Sequence, residues 1–346
     1  MSAYIDEPRL ARVQETALRP ELPVVDPHHH LIDQPVPYPT EKWIADLRSG
    51  HQVVASVHME AHSHYRDTGP DHLKPAGETQ YVAGQFEQVA KSLPGMRFGI
   101  VGGGDLSAGR SKVDELLDAH SRAGRGMFRG IRINPFWNFA ADASMTRVPG
   151  WDAVADDARL AEGIQCLAAR GLCLELVSYE ADLAVIARLA RKFPDVLIVC
   201  DHLAVFVDRG PKAPSEAELM ARWKNGIDGI SRAANIRIKL GGCANPYADF
   251  SLSAMRALRE REMPATSAEL ADAYRPMVSY AVEKLGPQRC MFESNFPIDK
   301  NYTSYVVLWN AFKRLARDYS ADEAHLLLSG TANTAYKLGV QAQQLD

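Results

Sequence analysis

The sequence has little that would tie it to a membrane, a nucleic acid or an oxidising compartment. No stretch approaches the roughly 18 consecutive apolar residues that span a bilayer. The opening residues, MSAYIDE, show no basic segment followed by an apolar one, so a secretory leader is not expected. Positive charge is not in excess. Its 39 Lys and Arg against 43 Asp and Glu leave a formal net charge of −4, which argues against a nucleic-acid footprint or a polybasic anchor. Cysteines number only five and form no CxxC pair. An odd set scattered through apolar runs reads as reduced, buried thiols of a cytoplasmic protein rather than a disulfide framework. Low-complexity tracts and long linkers are missing too. The 346 residues, 46% hydrophobic and 24% charged, therefore read as one domain (1–346, core about 22–338) able to bury a sizeable core. The expected partner is a small molecule, and oligomeric state stays open.

What is present is a repeat of type rather than of residues. Eight apolar, β-branched runs stand at 22–26 (LPVVD), 52–58 (QVVASVH), 96–101 (MRFGIV), 127–133 (MFRGIRI), 172–177 (LCLELV), 196–200 (VLIVC), 236–240 (IRIKL) and 289–292 (RCMF). Runs apolar on both faces are expected of parallel strands covered on both sides. Helix-length stretches with charged faces separate them, at 78–92, 111–123, 151–170, 181–192, 215–232, 268–285 and 305–319. A further stretch, 321–340, reads as helices packed on the outside. Eight strand–helix units predict an α/β fold, a (β/α)8 barrel. The runner-up is an open doubly wound sheet, but no GxGxxG follows the first run. Gly102-Gly103-Gly104 lacks that spacing and reads as a tight turn.

Active-site residues of such barrels stand at the C-terminal ends of strands. Seven of the eleven histidines fall between His28 and His64, six of them at or after the ends of the first two runs. In an extended segment His28 and His30 face one side, the arrangement two imidazoles need to share a divalent metal. His58, Glu60 and His62 alternate in the same way after the second run. Glu60 is expected as a metal ligand or as a group holding one, with His58 and His62 as further candidates. Arg132 shares a side with Asn134 near the barrel mouth. It would either clamp a carboxylate or carbonyl or form a structural ion pair. Glu175, alone in an apolar run, needs a partner, and Arg132 is the nearest candidate. His202 follows the sixth run, beside Asp201, which could orient a ligand. Lys239 in the seventh run points inward on this reading. Arg132, Asn134 and Lys239 are the substrate-binding candidates.

The segments Asp26-Pro27-His28-His29-His30-Leu31-Ile32-Asp33, Cys200-Asp201-His202 and Met291-Phe292-Glu293-Ser294-Asn295-Phe296-Pro297 together resemble the amidohydrolase-related branch of the amidohydrolase superfamily. That branch holds sugar-acid lactonases and pyrone-dicarboxylate lactonase. The resemblance runs from about residue 22 to 338. It implies a hydrolase acting on a small polar lactone, ester or amide. His28, His30 and His202 would be metal ligands, and His202, Asn295, Glu293 and Arg132 catalytic groups. Zinc is the first choice of cofactor, with iron or manganese as the alternative; some lactonases of the branch work without metal. Asn295 stands where hydrolytic members usually carry the aspartate that serves as base. An amide accepts no proton near neutral pH, so Asn295 is left as a ligand or orienting group, and Glu293 or Glu60 would have to be the base. Losing that base while gaining His58, Glu60 and His62 keeps a second reading open, a dinuclear iron or manganese oxygenase. A decarboxylase, a lyase or an inactive partner subunit is also open.

Overall fold

The computed structural model describes residues 5–34, 36–133, 156–204, 214–242 and 253–341. Eight strands run β1 Pro23–His29, β2 Gln52–Met59, β3 Arg97–Gly103, β4 Phe128–Ile133, β5 Cys173–Leu176, β6 Ile198–Cys200, β7 Ile236–Lys239 and β8 Cys290–Met291. They pair in sequence order, every pair parallel. The cylinder closes just past β8. There Asn295 N donates to the His28 carbonyl at 2.9 Å and His30 N to the Phe296 carbonyl at 2.7 Å. The chain is thus the (β/α)8 barrel expected of its eight runs, and the closure excludes the open sheet. The last strand is shorter than its run because Phe292 turns out of the sheet, its N–H donating to the Leu327 carbonyl at 3.0 Å.

The apolar runs serve two cores. Residues such as Val24, Ile100, Ile131, Leu174, Ile198 and Ile238 face outward and pack with the helices in one large cluster. Val25, Val57, Val101, Cys173, Val199 and Met291 face inward and fill the barrel. Ala332, Ala335, Tyr336, Leu338 and Val340 of the C-terminal stretch join that inner cluster. Both strand faces are buried, which is why the runs are continuous rather than alternating. Each such side chain contributes roughly 1.5–3 kcal/mol of burial.

Helices lie where the charged-face stretches place them: Ala76–Ser92, Arg110–Ala123, Ala158–Arg170, Leu183–Lys192, Glu216–Ser231, Ser267–Leu285 and Tyr305–Ala316. Capping boxes start several. Thr266 and Glu269 exchange side-chain and backbone bonds before Ser267–Leu285, as do Ser215 and Glu218 before Glu216–Ser231. Three α-helices have no counterpart in the sequence reading, Glu7–Leu10, Thr40–Leu47 and Ser253–Glu260. Gly102 and Gly103 belong to β3 rather than to a turn. Among the described residues no helix is long and apolar enough to cross a membrane.

Candidate active site

β1 and the residue that follows it deliver three consecutive histidines, and the extended period of two sorts them. His29 turns outward, stacked on Trp43 with ring centroids 4.2 Å apart, and Ser56 Oγ lies 2.7 Å from its Nδ1. His28 and His30 turn inward, both buried, with their Nε2 atoms 3.2 Å apart. The partners of the other ring nitrogens set the tautomers. His30 Nδ1 lies 2.8 Å from the Met59 carbonyl, which only accepts, so the proton sits there. His28 Nδ1 lies 2.8 Å from Glu293 Oε2, and Glu293 Oε1 lies 2.8 Å from His202 Nδ1. Glu293 Oε1 therefore holds His202 by its Nδ1–H, while Glu293 Oε2 has no hydrogen-bond partner among the described residues and His28 Nδ1 is hydrogen-bonded with the Lys239 ammonium at 3.1 Å. Burial alone would raise Glu293, but His202 and His28 keep it well below the usual carboxylate range. The His28 and His202 rings are 4.6 Å apart, and ligand atoms of His28, His202 and Glu293 lie within 4.8 Å of one another.

The tautomer of His30 leaves a lone pair on its Nε2, which faces His28 Nε2 at 3.2 Å. A proton or a cation between the two nitrogens satisfies both. Two imidazole nitrogens on one tetrahedral ion at ~2.0–2.1 Å stand about 3.3 Å apart, close to what the chain shows. Burial, with His28 and Arg132 nearby, pushes His30 well below the ordinary imidazole value; burial and Lys239 lower His28. Both are thereby kept neutral, the form that binds metal. The facing Nε2 atoms of His28 and His30 fit two ligands of one divalent ion; with His202 they form no group of three ligand atoms within 4.8 Å of one another among the described residues.

A second acidic group lies deeper, around Lys239. Its fully buried ammonium is paired with Glu175, stands 3.2 Å from Asp201 Oδ1 and 3.9 Å from Glu293 Oε2, and is 3.1 Å from His28 Nδ1. Burial opposes its charge, but Asp201, Glu175 and Glu293 raise its pKa. His28, Glu175 and Asp201 also bring ligand atoms within 4.8 Å, yet the cation among them is the lysine itself. Tyr336 donates its hydroxyl to Glu175 Oε2 at 2.8 Å. Above, Arg132 joins the two sides of the barrel. Its guanidinium donates to the Glu60 carbonyl and stands 3.7 Å from Glu60 Oε2 and 3.7 Å from Asp201 Oδ2. Arg132, His62, Tyr65 and Gly103 line a cleft of about 690 Å³ that opens beside β2, β3 and β4.

The amidohydrolase family model matches residues 25–338. The chain belongs to the amidohydrolase family. It is similar to a Sinorhizobium fredii protein described as uncharacterized, at 29% identity over 92% of this chain and 99% of that one. It is also similar to an L-fucono-1,5-lactonase of Burkholderia multivorans, at 27% identity over 61% of this chain and 65% of that enzyme. Among solved structures, a Burkholderia multivorans amidohydrolase with bound zinc matches with TM-score 0.64 and 21% identity, covering 91% of this chain and 99% of that one. A dihydroxybenzoic acid decarboxylase of Polaromonas with bound manganese matches with TM-score 0.53 and 12% identity, over 94% and 98%. The chain is thus an enzyme of a family that uses divalent metals, and at these identities the solved structures speak for the fold.

Within this amidohydrolase the candidate residues separate into groups. His28, His30, His202 and Glu293 come together. Asn295 is buried beside them, its side-chain amide donating to Asp299 Oδ1 at 3.0 Å. Glu60 stands with His62, Tyr65 and Arg132 instead. His58 has both ring nitrogens engaged, Nδ1 by the Leu31 N–H at 3.3 Å and Nε2 by Glu78 Oε1 at 3.1 Å. Lys239 is buried in the barrel interior. The pairing expected of Glu175 is corrected: it meets Lys239 and Tyr336, while Arg132 turns toward β2. Glu175 and Arg132 stand opposite each other in register, but the long guanidinium reaches the rim and the shorter carboxylate stays below it. Asn134 lies outside the described residues. Sequence reasoning missed Glu78, which also takes the Ala61 N–H at 2.9 Å and so anchors the segment after β2. It sits in the first turn of a helix, where an acidic residue reads as ordinary dipole compensation.

Proposed function

We propose that this amidohydrolase hydrolyses a small polar lactone, or a related ester or amide, with one divalent metal held by His28, His30 and His202. The observation that carries the reading is the facing pair of Nε2 atoms on His28 and His30, 3.2 Å apart, with the His30 proton committed to the Met59 carbonyl through Nδ1. A bound divalent ion would polarise the scissile carbonyl and acidify water. Glu293 orients His202 through its Nδ1–H and stands 2.8 Å from His28 Nδ1. Arg132 has its Nε without a hydrogen-bond partner among the described residues and lines the cleft. It would take a substrate carboxylate or the developing charge on the carbonyl oxygen. The likeness to a sugar-acid lactonase supports the substrate class. The Lys239 ammonium, filling the deeper carboxylate cluster, supports a single ion and weighs against a dinuclear oxygenase.

The test is turnover of a panel of sugar-acid lactones and carboxylate-bearing esters by protein loaded with zinc or manganese, read as acid release. Ring opening is expected. Arg132→Met should raise KM about 10–100-fold, the worth of a lost charged hydrogen bond, and lower kcat less. No acid release from any compound, or oxygen uptake or carbon dioxide release in its place, would overturn the hydrolase reading.

A further inference from the structure

Hydrolysis needs a group that takes a proton from water, and neither residue of the β8 segment supplies it. Asn295 carries an amide, and Glu293, buried and held on Oε1 by His202, is kept well below the usual carboxylate range by His202 and His28 and so is a poor base. Across the rim, the loop after β2 folds an imidazole onto a carboxylate. Glu60 Oε1 accepts from His62 N at 2.8 Å and from the Tyr65 hydroxyl at 2.7 Å, and lies 2.7 Å from His62 Nδ1. The Tyr65 hydroxyl, 3.0 Å from His62 Nδ1, spends its one proton on Glu60, so the proton of His62 sits on Nδ1 and Nε2 carries the lone pair. The backbone of His62 is left-handed, φ 54°, an uncommon state for a residue with a β-carbon. Gly103 makes room for the arrangement. A β-carbon there would stand 2.6 Å from Glu60 Cγ and 2.7 Å from the Tyr65 hydroxyl. The His62 side chain is 35% exposed and lines the cleft together with Arg132. Burial alone would raise Glu60, but His62, Arg132 and Tyr65 hold it down to about 2, so it remains an anion.

We propose that His62 is the general base of this enzyme, held in place by the positioning residues Glu60 and Tyr65; the proposal rests on the hydrolase reading above. His62 Nε2 takes a proton from water as the water oxygen bonds to the acyl carbon and the carbonyl π pair moves onto its oxygen. When that intermediate collapses the acyl C–O bond breaks, and the same proton passes to the departing oxygen. One water is added and no oxidant or reductant is needed.

Two measurements test it. In the full-length protein with ¹⁵N-labelled histidine, long-range ¹H–¹⁵N spectra should show His62 as the Nδ1–H tautomer, moving toward Nε2–H in Glu60→Gln. In metal-loaded enzyme, His62→Gln should lower kcat about 10²–10⁴-fold on whichever lactone or ester the wild type opens. KM, metal content and Tm should stay near wild type. Added imidazole should restore part of the rate of His62→Ala, which a merely structural role would not allow. An Nε2–H tautomer in the wild type, a wild-type kcat in His62→Gln, or absence of rescue overturns the assignment while the hydrolase reading stands. A wild type that opens nothing on the panel overturns both, whatever the tautomer.

Discussion

Position 295 shows how one atom redirects a site. The side-chain N–H of Asn295 donates to the buried Asp299 carboxylate at 3.0 Å. Asn295→Asp, which restores the aspartate of hydrolytic relatives, would set two buried carboxylates against each other. We expect it to cost roughly 1–3 kcal/mol of stability at pH 7. The loss should shrink toward pH 4, where a proton can be shared. Urea unfolding at both pH values checks this, and an equal loss at both would contradict the repulsion. The residue pattern made much of the site legible. Spacing of two at strand ends singled out His28, His30 and Glu60, and the residue after the sixth run singled out His202. It was blind to partners. Nothing in the order of residues says that Glu293 lies beneath two imidazoles, or that Lys239 rather than Arg132 meets Glu175. Those pairings depend on which side chains reach across a closed cylinder.

At the scale of elements, two buried histidines fasten helices to the barrel in neutral form. His120, in helix Arg110–Ala123, has Nε2 2.9 Å from the Gly103 carbonyl and Nδ1 2.8 Å from Thr79 Oγ1. His51 has Nε2 3.3 Å from the Val306 carbonyl. Burial pushes both down to about 4. Their folded values lie below the unfolded value near 6.5. The stability tied to the neutral rings is therefore complete above about pH 6.5 and is lost as pH falls toward 4. Each full loss is on the order of 3 kcal/mol. Urea midpoints between pH 7 and 4 should fall, and His120→Gln should flatten that fall; an unchanged slope would speak against the assignment. The strands were legible because burial on both faces writes continuous apolar runs. Helix Thr40–Leu47 was not. It is eight residues long, follows a proline, and carries no side-chain N-cap, so its pattern is too short to stand out from a loop.

For the whole molecule, barrel closure is what turns distant residues into neighbours. Hydrogen bonds between residues 28–30 and 295–296 bring β1 against the end of β8. Asp26 secures the same seam by accepting from Ser294 Oγ at 2.7 Å and Tyr305 Oη at 3.0 Å. Below the rim, Lys239 supplies a fixed positive charge among Glu175, Asp201 and Glu293. Removing one partner of such a cluster leaves buried charge uncompensated, so the interior and the rim are coupled through Glu293 and His28. The α/β class and the closed barrel could be read from eight repeats. Division of the rim into an imidazole cluster and a separate Glu60–His62 pair could not, because both groups share the same alternation. The measurement that bears most directly on this account is metal stoichiometry by elemental analysis after loading and desalting, in wild type and in His28→Asn and His30→Asn. The account expects one divalent ion per chain in the wild type and its loss in either variant. A wild type that retains no ion, or variants that hold it as firmly, would contradict it.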